Sequence, residues 1–268
     1  FIVYQVTGPV PQQVNGFGWL AEALLDGRLH LTLAESGAVE QVPRPGGGWY
    51  LPYPPGPAVV LLPFVAIFGE VDPGLVAALL GALNVVLLHV VLRRIGLGWS
   101  SATWLAVGFG VGSVAWWSAG TADVWNIAHT VSMTFALGAL LLTIDGRWPL
   151  AAGIVFGLAA ATRLPVGLTL PLYLALWARA TLPPFTTSRV LQRLTELPGL
   201  FAAALRDARV RPALVFIGGL AIPALLVAGY NFGRFGSPFD FGYADIPGVS
   251  TEPWYSEGVL SLSYIPRH

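Results

Sequence analysis

The stretch WYLPYPPGPAVVLLPFVAIFG, residues 49–69, joins a polar, aromatic loop directly to an apolar helix. Four prolines stiffen the loop: Pro52, Pro54, Pro55 and Pro57. Because proline fixes φ at about −65° and lacks a backbone N–H, this part can continue neither a helix nor a central strand. The amphipathic rings of Trp49, Tyr50 and Tyr53 are typical of the boundary between a membrane and water. The stretch therefore predicts a rigid turn at a membrane surface, with hydrocarbon immediately beyond it.

The composition extends this prediction to the whole chain. Hydrophobic residues make up 55% of the 268 residues and charged residues only 10%, and the mean hydropathy is +0.68. These values lie outside the range of ordinary soluble domains, so we expect a polytopic membrane protein. The net charge is zero and no basic stripe is present, so we expect no nucleic-acid partner. The absence of cysteine excludes disulfides and thiolate metal sites.

Apolar segments predict an all-α fold, a bundle of transmembrane helices over residues 57–230. Four of them approach the roughly 20 residues that cross about 30 Å of hydrocarbon: 74–92, 99–117, 124–143 and 212–230. Two shorter segments, 149–161 and 165–178, flank Arg163. They are either two thin or tilted spans that meet at a polar apex, or one broken helix. The segment 57–69 is shorter still, and we expect it to lie in the interface.

The arginines predict the orientation, because short cytoplasmic loops collect basic residues. If 74–92 runs inward, Arg93 and Arg94 and most other arginines are cytoplasmic, and the outer ones are scattered singly. Four segments then share the outer face: the loop 1–56, the turn 118–123, the apex 162–164 and the loop 231–268. The cytoplasmic stretch 180–211 is predicted to be an amphipathic helix on anionic lipid. The chain has no initiator Met at Phe1, and we interpret it as a truncated fragment that lacks helices at both ends.

The first outer loop contains a predicted interfacial helix. Its apolar side is formed by Ala21, Leu24, Leu25 and Leu29, and its polar side by Glu22, Asp26 and Arg28. Gly27 is expected to end the helix, and Phe17 and Trp19 are expected to anchor it in the interface.

Six segments, taken in order, resemble the GT-C superfamily of polytopic glycosyltransferases, in the branch of the protein O-mannosyltransferases and aminoarabinose transferases. They are LAEALLDGRLHL (20–31), the stretch 49–69, a span that ends in Arg93 and Arg94, WWSAGTADVWNIAH (116–129), AATRLPVGLTLPLYLALW (160–177) and YNFGRFGSPFDFGY (230–243). The resemblance implies a GT-C bundle in a bacterial inner membrane, with its active face outside. It also implies a polyprenyl-phosphate-sugar donor and a glycan, lipid or protein acceptor.

Sugar transfer of this kind needs a carboxylate that accepts the acceptor's proton. Relatives carry an Asp or an Asp-Glu pair near the start of the first outer loop, whereas residues 11–15 read PQQVN. Three alternatives remain open: Glu22 is the base, Asp123 is the base, or transfer activity has been lost. Glu22 is otherwise a solvated charge of the surface helix, and Asp123 is otherwise a helix N-cap.

Departure of the phosphate calls for a cationic partner, and the two-pronged guanidinium of arginine suits phosphate. Arg163 is the first candidate for binding the donor phosphate, and Arg234 is the second. The ordinary alternatives are that Arg163 snorkels at a helix end and that Arg234 is a loop charge paired with Asp240.

The cavity of such an enzyme is expected to be lined by Asn15, Tyr50, Tyr53 and His129. His129 is otherwise a residue that hydrogen-bonds between helices. Glu22, Asp123 and His129 do not stand at ligand spacing, so no metal site is predicted. Some enzymes of the superfamily use a divalent cation and others do not, and the cofactor therefore stays open.

Overall fold

A computed structural model of the chain describes residues 1–8, 16–32, 40–121, 123–177 and 210–249. It is 75% helical, which confirms the all-α prediction. The α-helices, in chain order, are α1 (Ile2–Thr7), α2 (Gly16–Leu25), α3 (Gly56–Phe68), α4 (Pro73–Arg94), α5 (Trp99–Gly112), α6 (Val114–Thr121), α7 (Val124–Asp145), α8 (Pro149–Thr162), α9 (Leu170–Trp177) and α10 (Arg211–Phe235). Asn15, the stretch 180–209 and residues 250–268 lie outside the described residues.

Three helices, α4, α7 and α10, are long and apolar enough to cross a membrane. They correspond to the predicted spans 74–92, 124–143 and 212–230. In α10 only 22% of the apolar window is buried within the protein, and Leu225 and Leu226 are each about 70% exposed. Such outward apolar surface is stable in lipid and unfavourable in water. The three helices therefore indicate an integral membrane protein.

The span predicted over 99–117 is divided into α5 and α6 at Ser113. The Ser113 hydroxyl accepts a hydrogen bond from the Ala115 N–H at 3.1 Å, and its carbonyl accepts one from Trp116. Serine therefore caps the second helix instead of continuing the first. The glycines at 108, 110 and 112 weaken the helix just before this point.

The predicted apex at 162–164 is a break between short helices. Helix α8 ends at Thr162, Arg163 is extended with φ −141°, and a 3₁₀ helix (Leu164–Thr169) leads into α9. Contacts divide the chain into two units, and these helices belong to the second, made of Ala82–Gly112 and Ser132–Ala224. Its core holds Phe156, Tyr173, Trp177 and Phe216.

The first unit comprises Phe1–Gly81, Ser113–Val131 and the chain from Leu225 onward. In it, α2 packs against α3. Helix α2 ends as predicted, with Gly27 at φ +72° after its last turn. Its buried side differs from the prediction, because Leu25 is 50% exposed whereas Phe17 is buried in the protein.

A small hairpin precedes the proline-rich loop. Strands β1 (Val42–Pro43) and β2 (Trp49–Tyr50) pair antiparallel, with Val42 opposite Tyr50. The turn between them contains Gly46, Gly47 and Gly48, all at positive φ, a conformation that glycine adopts without strain. The hairpin brings residues 40–43 back beside the loop that follows β2.

Candidate functional site

The loop formed by residues 49–55, which we call the 49–55 loop, contacts three helices of the first unit. The Tyr53 ring lies 6.2 Å from that of Phe17 in α2. The Tyr53 hydroxyl accepts a hydrogen bond from the Trp125 indole in α7 at 3.1 Å. The Leu51 carbonyl accepts one from the Arg234 guanidinium in α10 at 2.6 Å. The stretch that predicted a membrane-surface turn is therefore the place where these helices are joined.

The hydrogen bonds at Tyr53 run in one direction. An indole N–H can only donate, so the Tyr53 oxygen is the acceptor toward Trp125. The Tyr53 proton is therefore left for the other partner, Oε2 of Glu40, at 2.5 Å. Burial and, next, this hydrogen bond to Glu40 raise the pKa of Tyr53, so the phenol stays protonated as a donor. The result is a directed chain from Trp125 through Tyr53 to the Glu40 carboxylate.

Asp123 is buried at the N-terminus of α7 and caps that helix. Its Oδ1 accepts from the backbone N–H groups of Trp125 at 3.0 Å and Asn126 at 2.7 Å, and its Oδ2 accepts from the Asn126 side-chain amide at 2.8 Å. The Ser118 hydroxyl donates a hydrogen bond to the carbonyl oxygen of the same side-chain amide at 3.0 Å. This geometry is the N-cap alternative stated for Asp123.

Glu22 lies half-buried in α2, one turn after the buried Phe17. Among the described residues, no side chain or backbone N–H donates a hydrogen bond to its carboxylate. Glu22 therefore lies on α2 in the first unit, and no group among the described residues orients its carboxylate.

Arg234 lies in the last turn of α10 and is 6% exposed. Besides Leu51, its guanidinium donates to Oδ1 of Asn231 at 2.9 Å. Its charge lies 3.9 Å from the centre of the Tyr230 ring and 4.6 Å from that of Phe235, a cation–π arrangement. Within the described residues, Arg234 forms no ion pair with Asp240, whose carboxylate accepts from the Gly242 N–H. Arg234 is thus a buried residue that fixes the 49–55 loop by a hydrogen bond, rather than a loop charge.

Arg163 belongs to the second unit, at the break after α8. It is half-buried, and its backbone N–H closes the last turn of α8 on the Ala159 carbonyl at 2.9 Å. The other candidates for catalysis and phosphate binding, Glu22, Asp123 and Arg234, belong to the first unit.

The two other described lining residues, Tyr50 and His129, differ in exposure. Tyr50 is buried against Val42 and Ile246, with its ring edge-on to Phe235 at 5.3 Å. His129 is exposed on α7. Tyr50 therefore supports the hairpin, whereas His129 faces outward.

Glu40 was not predicted as a site residue. A signal for it exists in the sequence, because RPGGG (44–48) between two short extended runs is typical of a hairpin turn. That hairpin pairs residue 42 with residue 50, and so carries Glu40 toward Tyr53. The pairing depends on register, and a register cannot be read from two-residue strands.

No group of three or more His, Asp or Glu side chains is placed to hold a metal ion in the described part of the chain. Comparisons with protein-family models, with curated proteins and with solved structures gave no match. The geometry defines a class: a helical integral membrane protein with three candidate spans. In the first unit, the 49–55 loop contacts the Glu40 carboxylate, the aromatic rings of Phe17 and Tyr243, and the buried Arg234.

Proposed function

We propose that the chain is a GT-C-type membrane glycosyltransferase that transfers a sugar from a polyprenyl-phosphate donor to an acceptor on the outer face. The 49–55 loop carries the proposal, through its contacts with α2, α7 and α10 in one unit. These are segments whose order along the chain resembles the superfamily, and for which one face of the membrane is predicted. The acceptor is a glycan, lipid or protein, and the membrane is a bacterial inner membrane.

The two candidate arginines divide their roles in this proposal. Both terminal nitrogens of the Arg234 guanidinium donate to protein acceptors, so this residue holds the loop. Arg163 stands outside the regular helices, at the break between α8 and the 3₁₀ helix, where the resemblance to the superfamily places a basic residue. We therefore assign the donor phosphate to Arg163 first.

A second candidate function, a catalytically inactive scaffold that binds lipid, is favoured by Asp123. Both oxygens of its carboxylate accept hydrogen bonds from the start of α7, so it is committed to capping. Residues 11–15 also carry no carboxylate. Such a protein would bind a polyprenyl phosphate and leave its sugar in place.

Purified full chain in vesicles of phosphatidylethanolamine and phosphatidylglycerol separates the two functions. A panel of polyprenyl-phosphate hexoses and pentoses is offered with glycan, lipid and peptide acceptors, and released polyprenyl phosphate is measured by mass spectrometry. Release that depends on the protein supports the transferase, whatever the acceptor. Binding of the same lipids without release supports the scaffold.

Arg163→Ala, with Arg147→Ala as an exposed-arginine control in the same unit, tests the phosphate assignment separately. We expect donor binding to weaken in the first variant and to be retained in the second. Equal binding by both variants would remove Arg163 from the site. Absence of both binding and release across the panel would reject the transferase and the scaffold together.

A further inference from the structure

The carboxylates of the first unit differ in what holds them. Three aspartates besides Asp123 are engaged by nearby donors. These donors are the Arg28 guanidinium for Asp26 at 2.7 Å, the Gly74 N–H for Asp72 at 2.8 Å and the Gly242 N–H for Asp240 at 2.7 Å. Each of these bonds serves a turn or a helix start. A carboxylate that receives a proton in a reaction needs an oriented position and a free oxygen.

Glu40 meets both requirements. Its Oε2 is oriented by the Tyr53 hydroxyl at 2.5 Å, and Tyr53 is itself buried and held by Trp125. Within the described residues, Oε1 of Glu40 has no hydrogen-bond partner. The residue is half-buried, so part of its surface remains accessible. By comparison, Glu22 is accessible but has no described donor that orients it.

The direction of the hydrogen bonds explains why Tyr53 cannot be the proton acceptor itself. Its oxygen already accepts from an indole that can only donate, and its proton is committed to Glu40. Glu40 is the last residue in this series of hydrogen bonds and the only carboxylate in it. A hydroxyl that approaches Oε1 therefore meets an acceptor that Tyr53 orients directly and Trp125 orients through Tyr53.

We propose that Glu40 is the carboxylate that accepts the proton of the acceptor hydroxyl, and that Tyr53 is its positioning residue. The inference rests on the proposed transferase function and supplies the base that residues 11–15 lack. In the step, the acceptor O–H bond breaks and its proton passes to Oε1 of Glu40. The acceptor oxygen bonds to the anomeric carbon as the bond from that carbon to the phosphate oxygen breaks. The electron pair of the broken bond leaves with the polyprenyl phosphate.

The first variant is Glu40→Gln in the full chain, assayed in the vesicles with the donor panel described above. The glutamine carbonyl can still accept from Tyr53, so the hydrogen-bond chain and the fold are kept while the proton acceptor is lost. We expect kcat to fall about 10²–10⁴-fold, the usual contribution of a positioned general base. The donor KM is expected to change little. The control is Glu70→Gln, which alters an exposed acid of the same unit and is expected to keep wild-type turnover.

Two further variants separate a base from a structural residue. Tyr53→Phe keeps the ring and removes the orienting hydroxyl, and we expect kcat to fall by up to about 10²-fold with donor KM retained. Glu40→Ala is expected to regain turnover when formate is added, because a small carboxylate can replace the missing base. A residue that only supports the fold would give no such rescue.

The outcomes distinguish this inference from the proposed function. Wild-type turnover that survives in Glu40→Gln would overturn the role of Glu40 and leave the transferase standing. Loss of turnover in Glu40→Ala without rescue by formate would also overturn it and indicate a structural role. No turnover by the wild-type chain with any donor would reject the transferase function and, with it, the reaction in which Glu40 is placed.

Discussion

Two adjacent glycines of α10, Gly218 and Gly219, allow a sharp test of the packing in the second unit. A Cβ added at Gly219 would lie 2.2 Å from the Leu150 carbonyl oxygen and 3.0 Å from the Ile154 nitrogen, both backbone atoms of α8. A Cβ added at Gly218 would meet no atom within 4 Å. The same change, glycine to alanine, therefore causes a steric clash at Gly219 and none at Gly218.

The magnitude follows from the distances. Ordinary contact of a Cβ begins near 3.4 Å, so α8 and α10 must separate by more than 1 Å in Gly219→Ala. Overpacking of this kind costs about 1–3 kcal/mol, and close helix contacts through Cα–H groups, each about 0.5–1 kcal/mol, are lost as well. The gain in helix propensity from glycine to alanine, about 0.5–1 kcal/mol, offsets part of this cost. We expect Gly219→Ala to lose about 1–3 kcal/mol and Gly218→Ala to gain at most about 1 kcal/mol.

The measurement is the free energy of unfolding of the two variants and the wild type in mixed detergent micelles, followed by circular dichroism. Gly153→Ala provides a second test on the facing helix, because its Cβ would collide with the Phe216 carbonyl of α10. If Gly218→Ala and Gly219→Ala agreed within about 0.5 kcal/mol, the close crossing of α8 and α10 would be refuted.

Three other predictions concern the first unit. Arg234→Lys should lower the free energy of unfolding by about 1–3 kcal/mol. A lysine ammonium cannot reach both acceptors of the guanidinium, the Leu51 carbonyl and Oδ1 of Asn231, and so leaves a buried acceptor unpaired. An unchanged melting temperature would contradict this role of Arg234. Gly48→Ala should destabilise the protein more than Gly47→Ala, by about 1 kcal/mol or more. Both glycines have a positive φ, but only at Gly48 would the added Cβ collide with another atom, the Leu31 carbonyl oxygen at 2.6 Å. Equal melting temperatures of the two variants would refute this prediction. Burial and the charges of two neighbouring arginines lower the pKa of His30 below its usual 6.5, so its contribution to stability is present above that pH and lost as the pH falls through the folded pKa. His30→Gln should therefore flatten the melting temperature measured between about pH 8 and pH 5, and a curve parallel to that of the wild type would argue against it.

The long helices could be predicted from the sequence because a membrane imposes a length of about 20 apolar residues. Local chemistry also gave the end of α2 at Gly27 and the break at Arg163. The division at Ser113 was not predicted, because a hydroxyl that can cap a new helix is equally tolerated inside one. Hydropathy does not distinguish a serine that caps a new helix from one inside a continuous helix.

For the candidate site, the sequence indicated the segments that form it and not the contacts between their side chains. Its segments were recognised from their aromatic and proline content, whereas the contact between Glu40 and Tyr53 depends on a hairpin register set by two short strands. For Asp123, the sequence allowed both a base and a helix cap, and the cap is the geometry found. A role in chemistry requires a free lone pair, and a sequence does not show which lone pairs are occupied.

The composition of the 49–55 loop explains which partners hold it. Three of residues 51–55 are prolines, so this part of the backbone offers carbonyl acceptors and few N–H donors. Two side chains donate hydrogen bonds to this loop, the Arg234 guanidinium to the Leu51 carbonyl and the Trp125 indole to the Tyr53 hydroxyl, and neither group has an acceptor to offer in return. The Tyr53 hydroxyl then brings one proton into a region of acceptors, and the Glu40 carboxylate receives it. The prolines that make the loop rigid thus also make its backbone poor in donors, and it is the Tyr53 side chain that donates to the carboxylate.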